Sequence, residues 1–173
     1  MKDREERSAL VAALDDIPHT NLVPKKYLSG GSVTAQIAFG RDSSIMIAKR
    51  EPQYHSRPHS HNSEQLNLVL EGELFVFIED HGFSVKKGDV FRVPRNAVHW
   101  SRVRGTEPCV LLETHTPPLI GDPGVMDTAV GLIEEEESRA GIIAVPSEWP
   151  TAFDQEAVER KLMGQLQNVT ADT

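Results

Sequence analysis

The chemistry of this chain concentrates in two short segments, Arg57-Pro58-His59-Ser60-His61-Asn62-Ser63-Glu64-Gln65 and the stretch from Gly88 to His99. Side chains on an extended chain alternate with period two, so His59 and His61 project from one face. His99, brought in by a neighbouring strand, and one oxygen donor would complete a shell of four. Metal–nitrogen bonds near ~2 Å demand that convergence, and the interior of a β-barrel provides it. Five of the seven histidines lie between positions 55 and 99. The single cysteine, Cys109, excludes an intrachain disulfide framework and any cysteine-based zinc cluster.

The elements that must position these residues are strands. Runs rich in Val, Ile and Phe recur at Val33–Phe39, Ile45–Lys49, Leu66–Leu70, Leu74–Ile78, Val90–Val93, Val98–Val103 and Val110–Thr114. Turn residues separate them, among them Glu71-Gly72, Lys87-Gly88-Asp89 and Arg104-Gly105. Short strands at this spacing predict an antiparallel sandwich or barrel over 32–116. Ahead of it, residues 3–16 read as a helix ended by Pro18, and a connector with Gly30-Gly31 runs to residue 31. Behind it, residues 117–173 form an acidic extension with a terminal helix over 151–167. Thr151 serves as its cap, and Phe153, Val158, Leu162 and Leu166 form its apolar face. Phe75 and Phe77 read as core, Trp100 points away from His99, and His55 and His81 read as surface residues.

On these residues the sequence resembles the cupin family. His59, His61, Gln65 and Gly72 occupy the places of the family's first motif, in which His-x-His is followed by a metal-binding acid and a glycine. Gly88, Pro94, Asn96 and His99 occupy those of the second. The two motifs cover about 40 residues in the right order and separation. The resemblance implies an all-β fold, a double-stranded β-helix or jelly-roll barrel, here with short N-terminal and C-terminal helical extensions. It also implies a divalent metal ion (Fe, Mn, Ni or Zn) held by His59, His61, His99 and a fourth ligand. Three places depart from the pattern. Gln53 stands at a turn glycine, Asn96 stands at another and tolerates positive φ, and Gln65 stands at the acid. Strand parity and the interval to Gly72 select Gln65 as the fourth ligand, while a break in parity at Asn62-Ser63 would bring Glu64 or water instead.

Three neutral imidazoles and a carboxamide leave the charge of a divalent ion uncompensated. Such a site favours an anionic ligand such as a carboxylate, an enolate or an α-hydroxy acid. Arg57 is the expected second contact of that anion. Asn67, on the Gln65 face, would orient ligand or metal-bound water, and His115 would act as general base or donor. The function implied is a metal-dependent enzyme acting on a small oxygenated organic molecule, of dioxygenase or Lewis-acid isomerase, lyase or cyclase type. The alternative is a non-catalytic metal-assisted binding or sensor protein. Family members commonly pair as homodimers, and Leu66, Leu68 and Leu70 opposite Gln65 fit a covered sheet.

The net charge of −8 has an address: 15 basic and 15 acidic residues fall in 1–116, against 3 and 11 in 117–173. The balance argues against a nucleic-acid or anionic-membrane partner, and no run approaches the roughly 20 apolar residues of a spanning helix. A mixed-charge start without an apolar signal core gives a cytoplasmic protein as the expectation.

Overall fold

A computed structural model describes residues 9–134 and 141–171, the side chains of 167–171 excepted. The strands are β1 (His19–Asn21), β2 (Leu28–Gly30), β3 (Val33–Phe39), β4 (Ser44–Arg50), β5 (His55–Ser56), β6 (Glu64–Glu71), β7 (Glu73–Ile78), β8 (His81–Lys86), β9 (Val90–Val93), β10 (His99–Val103) and β11 (Cys109–Thr116). They are followed by the short helix α1 (Val125–Thr128), strand β12 (Val130–Gly131) and helix α2 (Gln155–Ala171). One sheet runs β1-β3-β4-β11-β6-β9 with β12 parallel to β3; the other runs β2-β5-β10-β7-β8. The two sheets face each other as an all-β jelly roll.

The alternation that marked the strands places the core. Val33, Ala35 and Ile37 of β3, Met46 and Ala48 of β4, Val69 of β6, Leu74 and Val76 of β7 and Leu111 of β11 are buried between the sheets. The intervening residues face out. Gly72 joins β6 to β7 at φ +77°, and a Cβ there would stand 2.3 Å from the Pro108 carbonyl oxygen, so only glycine fits. Asn96 and Gln53 take positive φ, 61° and 67°, at the two places where they replace the family's glycines.

The extensions differ from their sequence reading. Within 9–16 the chain forms a 3-10 turn over Leu14–Asp16 rather than a helix; residues 3–8 of the expected helix lie outside the described residues. Its apolar stripe, Leu10, Val11 and Leu14, is 46–55% exposed, so no packing supports a longer helix. Gln36 instead donates from Nε2 to the carbonyls of Leu14 and Ile17, at 2.7 and 3.0 Å. The terminal helix starts at Gln155, where Asp154 rather than Thr151 accepts from the Ala157 amide at 3.1 Å. Val158 and Leu162 of α2 pack with Phe75, Phe77 and Trp100 on the outer face of the five-stranded sheet.

Described residues between β11 and α2 pack into the barrel core. Leu119, Ile120, Val125 and Val145 join the main core. Glu148 forms an antiparallel bridge with Ser60, and the Thr151 amide donates to the Pro58 carbonyl at 2.9 Å. The stretch before α2 is thereby laid along the His59–His61 segment. No helix among the described residues is long and apolar enough to cross a membrane.

Candidate metal centre

His59 and His61 reach the barrel mouth from the segment after β5, and His99 opens β10. His59 and His99 exchange backbone hydrogen bonds at 2.8 and 3.0 Å, which places the pair side by side. One donor atom from each of the three rings lies within 4.8 Å of the others. Donors about 2.1 Å from a common ion are at most about 4.2 Å apart, so closure needs only side-chain adjustments of roughly half an ångström. Each ring is held from behind. Nδ1 of His59, His61 and His99 contacts the carbonyl oxygens of Arg57, Ser63 and Ala97 at 3.3, 2.9 and 3.0 Å. A carbonyl only accepts, so with the ring proton on Nδ1 each imidazole presents an Nε2 lone pair. Burial lowers the pKa of all three, His99 to about 3, which keeps those lone pairs free at neutral pH.

Gln65, buried on β6, supplies the decisive contact. Its Nε2 donates to Asn67 Oδ1 at 2.6 Å and to Glu113 Oε2 at 2.8 Å. That fixes the amide so that Oε1 faces His61 Nε2 at 3.2 Å. The neutral His61 ring has one proton for two acceptors, Ser63 O and Gln65 Oε1; with it on Nδ1, Nε2 and Oε1 both present lone pairs. A cation satisfies both, and 3.2 Å is close to the separation of about 3.0 Å between adjacent ligands of an octahedral ion with 2.1 Å bonds. The donor set therefore fits a divalent metal.

Behind Gln65 lies an ion pair. Arg50 Nη2 is 2.7 Å from Glu113 Oε1, with side chains 8% and 3% exposed. Arg50 Nε and Nη1 have no hydrogen-bond partner among the described residues. Burial works against the charged guanidinium, but the Glu113 carboxylate beside it prevails and the Arg50 pKa is raised. His61, Gln65, Glu113 and Arg50 thus form a polar chain from the barrel mouth into its interior.

An aromatic wall closes the mouth. Trp149 stacks on His59 with centroids 3.8 Å apart and planes 11° from parallel, and Tyr27 stacks on the other side of Trp149 at 5.3 Å and 13°. The cavity, about 50 Å³, is lined by the three histidines, Gln65, Asn67, Arg50, Glu113 and Trp149 among others.

His59, His61, His99, Gln65 and Asn67 are thus brought together. Asn67 orients the Gln65 amide. Glu64 lies on the outer face, half exposed, against Arg92 at 3.2 Å, so parity holds through Asn62-Ser63. Two expectations are corrected. Arg57 is exposed and does not line the cavity, because residues 57 and 58 belong to no strand and period two does not carry from Arg57 to His59. His115 is 1% exposed but stands behind His61, ring centroids 5.6 Å apart, outside the lining. Burial holds its pKa well below the usual histidine value, and neither ring nitrogen has a hydrogen-bond partner among the described residues. Arg50, Glu113, Tyr27 and Trp149 escaped the sequence reading. Arg50 and Glu113 left a trace there: each interrupts an inward apolar row, Met46-x-Ala48-x-Arg50 and Cys109-x-Leu111-x-Glu113.

The cupin domain family model matches residues 46–115. No curated protein matches the chain. Among solved structures, the chain is similar to an RmlC-like cupin from Shewanella frigidimarina, at 20% identity and TM-score 0.52 over 61% of this chain and 88% of that one. It is similar to a cupin-like protein from Thermotoga maritima, at 18% identity and TM-score 0.56 over 84% and 96%. KdgF from a Halomonas species aligns at 20% identity and TM-score 0.50 over 60% and 90%. At these identities the likeness is one of fold. The family match identifies a cupin domain at residues 46–115, and the double-sheet barrel built around it has the cupin fold.

Proposed function

We propose that this protein is a metal-dependent enzyme acting on a small oxygenated organic acid, with His59, His61, His99 and Gln65 as ligands of Fe, Mn, Ni or Zn. The observation that carries the reading is the convergence of the three imidazoles with Gln65 Oε1, which lies 3.2 Å from His61 Nε2. A bound divalent ion supplies a Lewis acid and, when the ion is iron, a place for O₂. The chain's own contribution is orientation and charge. Asn67 and Glu113 aim the Gln65 oxygen, and the backbone carbonyls behind the imidazoles aim Nε2. Arg50, a buried cation lining the same cavity, takes the place expected of Arg57 and favours an anionic ligand. Trp149 and the flanking segments screen the site from bulk water.

A second reading, metal-assisted binding without catalysis, is favoured by one observation. The carboxylates that line the cavity are committed: Glu113 to Arg50 and Gln65, and Asp122 to the Ser147 amide at 3.1 and 3.2 Å. His115, the remaining candidate for proton transfer, stands outside the lining. Metal analysis of the purified protein, then oxygen uptake and product screening with small 2-oxo and 2-hydroxy acids, separates the readings. Turnover of any acid supports the enzyme, metal-bound acid without turnover supports the binding protein, and absence of metal after metal-replete expression overturns both.

The outer face of the seven-stranded sheet fits a homodimer. Ile45, Leu66 and Val90 are 43%, 47% and 69% exposed, with Leu68 and Leu112 paired in register beside them. A second copy laid on this face would remove the patch from water. Sedimentation at micromolar concentration tests this, with Leu66→Glu expected to give monomer; a monomeric wild type overturns it.

A further inference from the structure

Two spaces meet at Trp149. The inner cavity beside the histidines measures about 50 Å³. A vestibule of about 320 Å³ lies outside it, bordered by Pro24, Lys26 and Tyr27. Leu22, Asp122, Val125, Ser147 and Trp149 line both spaces, so these side chains form the partition. Trp149 is its largest member and is clamped on both ring faces, by His59 at 3.8 Å and Tyr27 at 5.3 Å. Its backbone is tied down on either side as well. Glu148 and Ser60 exchange two hydrogen bonds, at 2.8 and 3.3 Å, and the Thr151 amide bonds Pro58 at 2.9 Å.

We propose that Trp149 sets the upper size of what reaches the metal centre, so that the ligand is an oxygenated carboxylate of two or three carbons rather than a ring compound. A water needs about 10–15 Å³ of such volume, so the inner cavity takes three to five bodies of that size. A carboxylate with one further oxygen fills it, and a benzene ring does not. The inference rests on the metal-centre reading and narrows its substrate class. It also gives the segment before α2 a function, since that segment carries the residue that bounds the site.

The test uses the full-length protein loaded with Co(II), whose visible absorption bands respond to an added ligand. Acetate, glycolate and benzoate are titrated into the wild type, Trp149→Ala, Trp149→Phe and Tyr27→Ala. The wild type is expected to bind benzoate at least about tenfold more weakly than acetate, the scale on which a pocket discriminates by size. In Trp149→Ala the ratio falls to about threefold or less, and Tyr27→Ala, which frees one face of the indole, and Trp149→Phe lower it part of the way. Equal binding of benzoate and acetate by the wild type overturns the proposal. So does an unchanged ratio in Trp149→Ala or, should that variant fail to hold cobalt, in both milder variants. A wild type that takes up no Co(II) overturns the metal-centre reading itself, and the two failures are thereby told apart.

Discussion

Two polar clusters lie on opposite faces of the five-stranded sheet, and β10 divides them: His99 points into the barrel, and Trp100 points out beneath α2. In the outer cluster Glu159 Oε1 accepts from His55 Nε2 at 2.8 Å, Trp100 Nε1 at 2.9 Å and Gln155 Nε2 at 2.9 Å. Gln155 Nε2 also donates to the Ser56 carbonyl at 3.1 Å and lies 2.8 Å from His55 Nε2. In the inner cluster the neutral His61 ring has one proton for two acceptors, Ser63 O and Gln65 Oε1, and two Arg50 nitrogens have no partner among the described residues. A buried polar group left unmatched costs about 1–3 kcal/mol, so the inner arrangement is poor as scaffolding and suits something that enters. The outer one leaves no buried side-chain nitrogen or oxygen without a partner among the described residues. Satisfaction, rather than polarity or burial, distinguishes the site from the clasp.

The largest expected effect breaks the inner cluster at its ligands. His61→Ala or His99→Ala should reduce bound metal to below about a tenth of the wild-type content, since removing a ligand exceeds the 10–100-fold loss usual for a supporting residue. Elemental analysis of the dialysed protein measures it, and undiminished content would place the metal elsewhere.

Next comes the ion pair. Glu113→Ala leaves Arg50 buried without its counter-charge and should cost about 3–5 kcal/mol in urea unfolding. It also frees the Gln65 amide, so metal affinity should fall about 10–100-fold. The double change Arg50→Met with Glu113→Leu should recover stability but not affinity. Recovery of both would mean that the pair is packing alone.

The outer clasp gives the contrasting result. Leu162→Ala, in the cluster under α2, should cost about 2–5 kcal/mol with metal content unchanged. A loss of metal in this variant would dissolve the distinction between the two faces.

The smallest effect is a pH dependence. Burial tends to raise the Glu159 carboxyl pKa, but hydrogen bonds from His55, Gln155 and Trp100 outweigh it and the value is lowered. Its contribution is therefore present above the unfolded carboxyl pKa and is lost as pH falls through the lower folded value. Wild type should lose that increment as pH falls through the lowered carboxyl value, whereas Glu159→Gln should lack it throughout; parallel stability curves would contradict the assignment.

Local spacing made much of the protein legible. The alternation of His59 and His61, the interval from Gln65 to Gly72 and the positive φ available to Asn96 follow from backbone geometry over a few residues. They sufficed for the barrel and for four of the side chains at its mouth. The strands missed in the reading, β1, β2, β5, β8 and β12, are short or carry polar residues, and their pairing is supplied by neighbours. Arg57 failed as an expectation because period two holds only within a strand.

What only the tertiary structure decided is which distant residues meet. Arg50 meets Glu113 across two strands joined through the intervening half of the barrel, and Trp149 meets His59 after the chain has passed through the whole of it. Sequence alone placed an anion contact beside the histidines at Arg57 and left the acidic extension without a task. The structure places Arg50, not Arg57, in the cavity lining and sets Trp149 against His59. The physical reason is that a strand's parity tells which way a side chain points but not what stands opposite. That is set by sheet register and by the closing of one layer on another, and both depend on the whole chain.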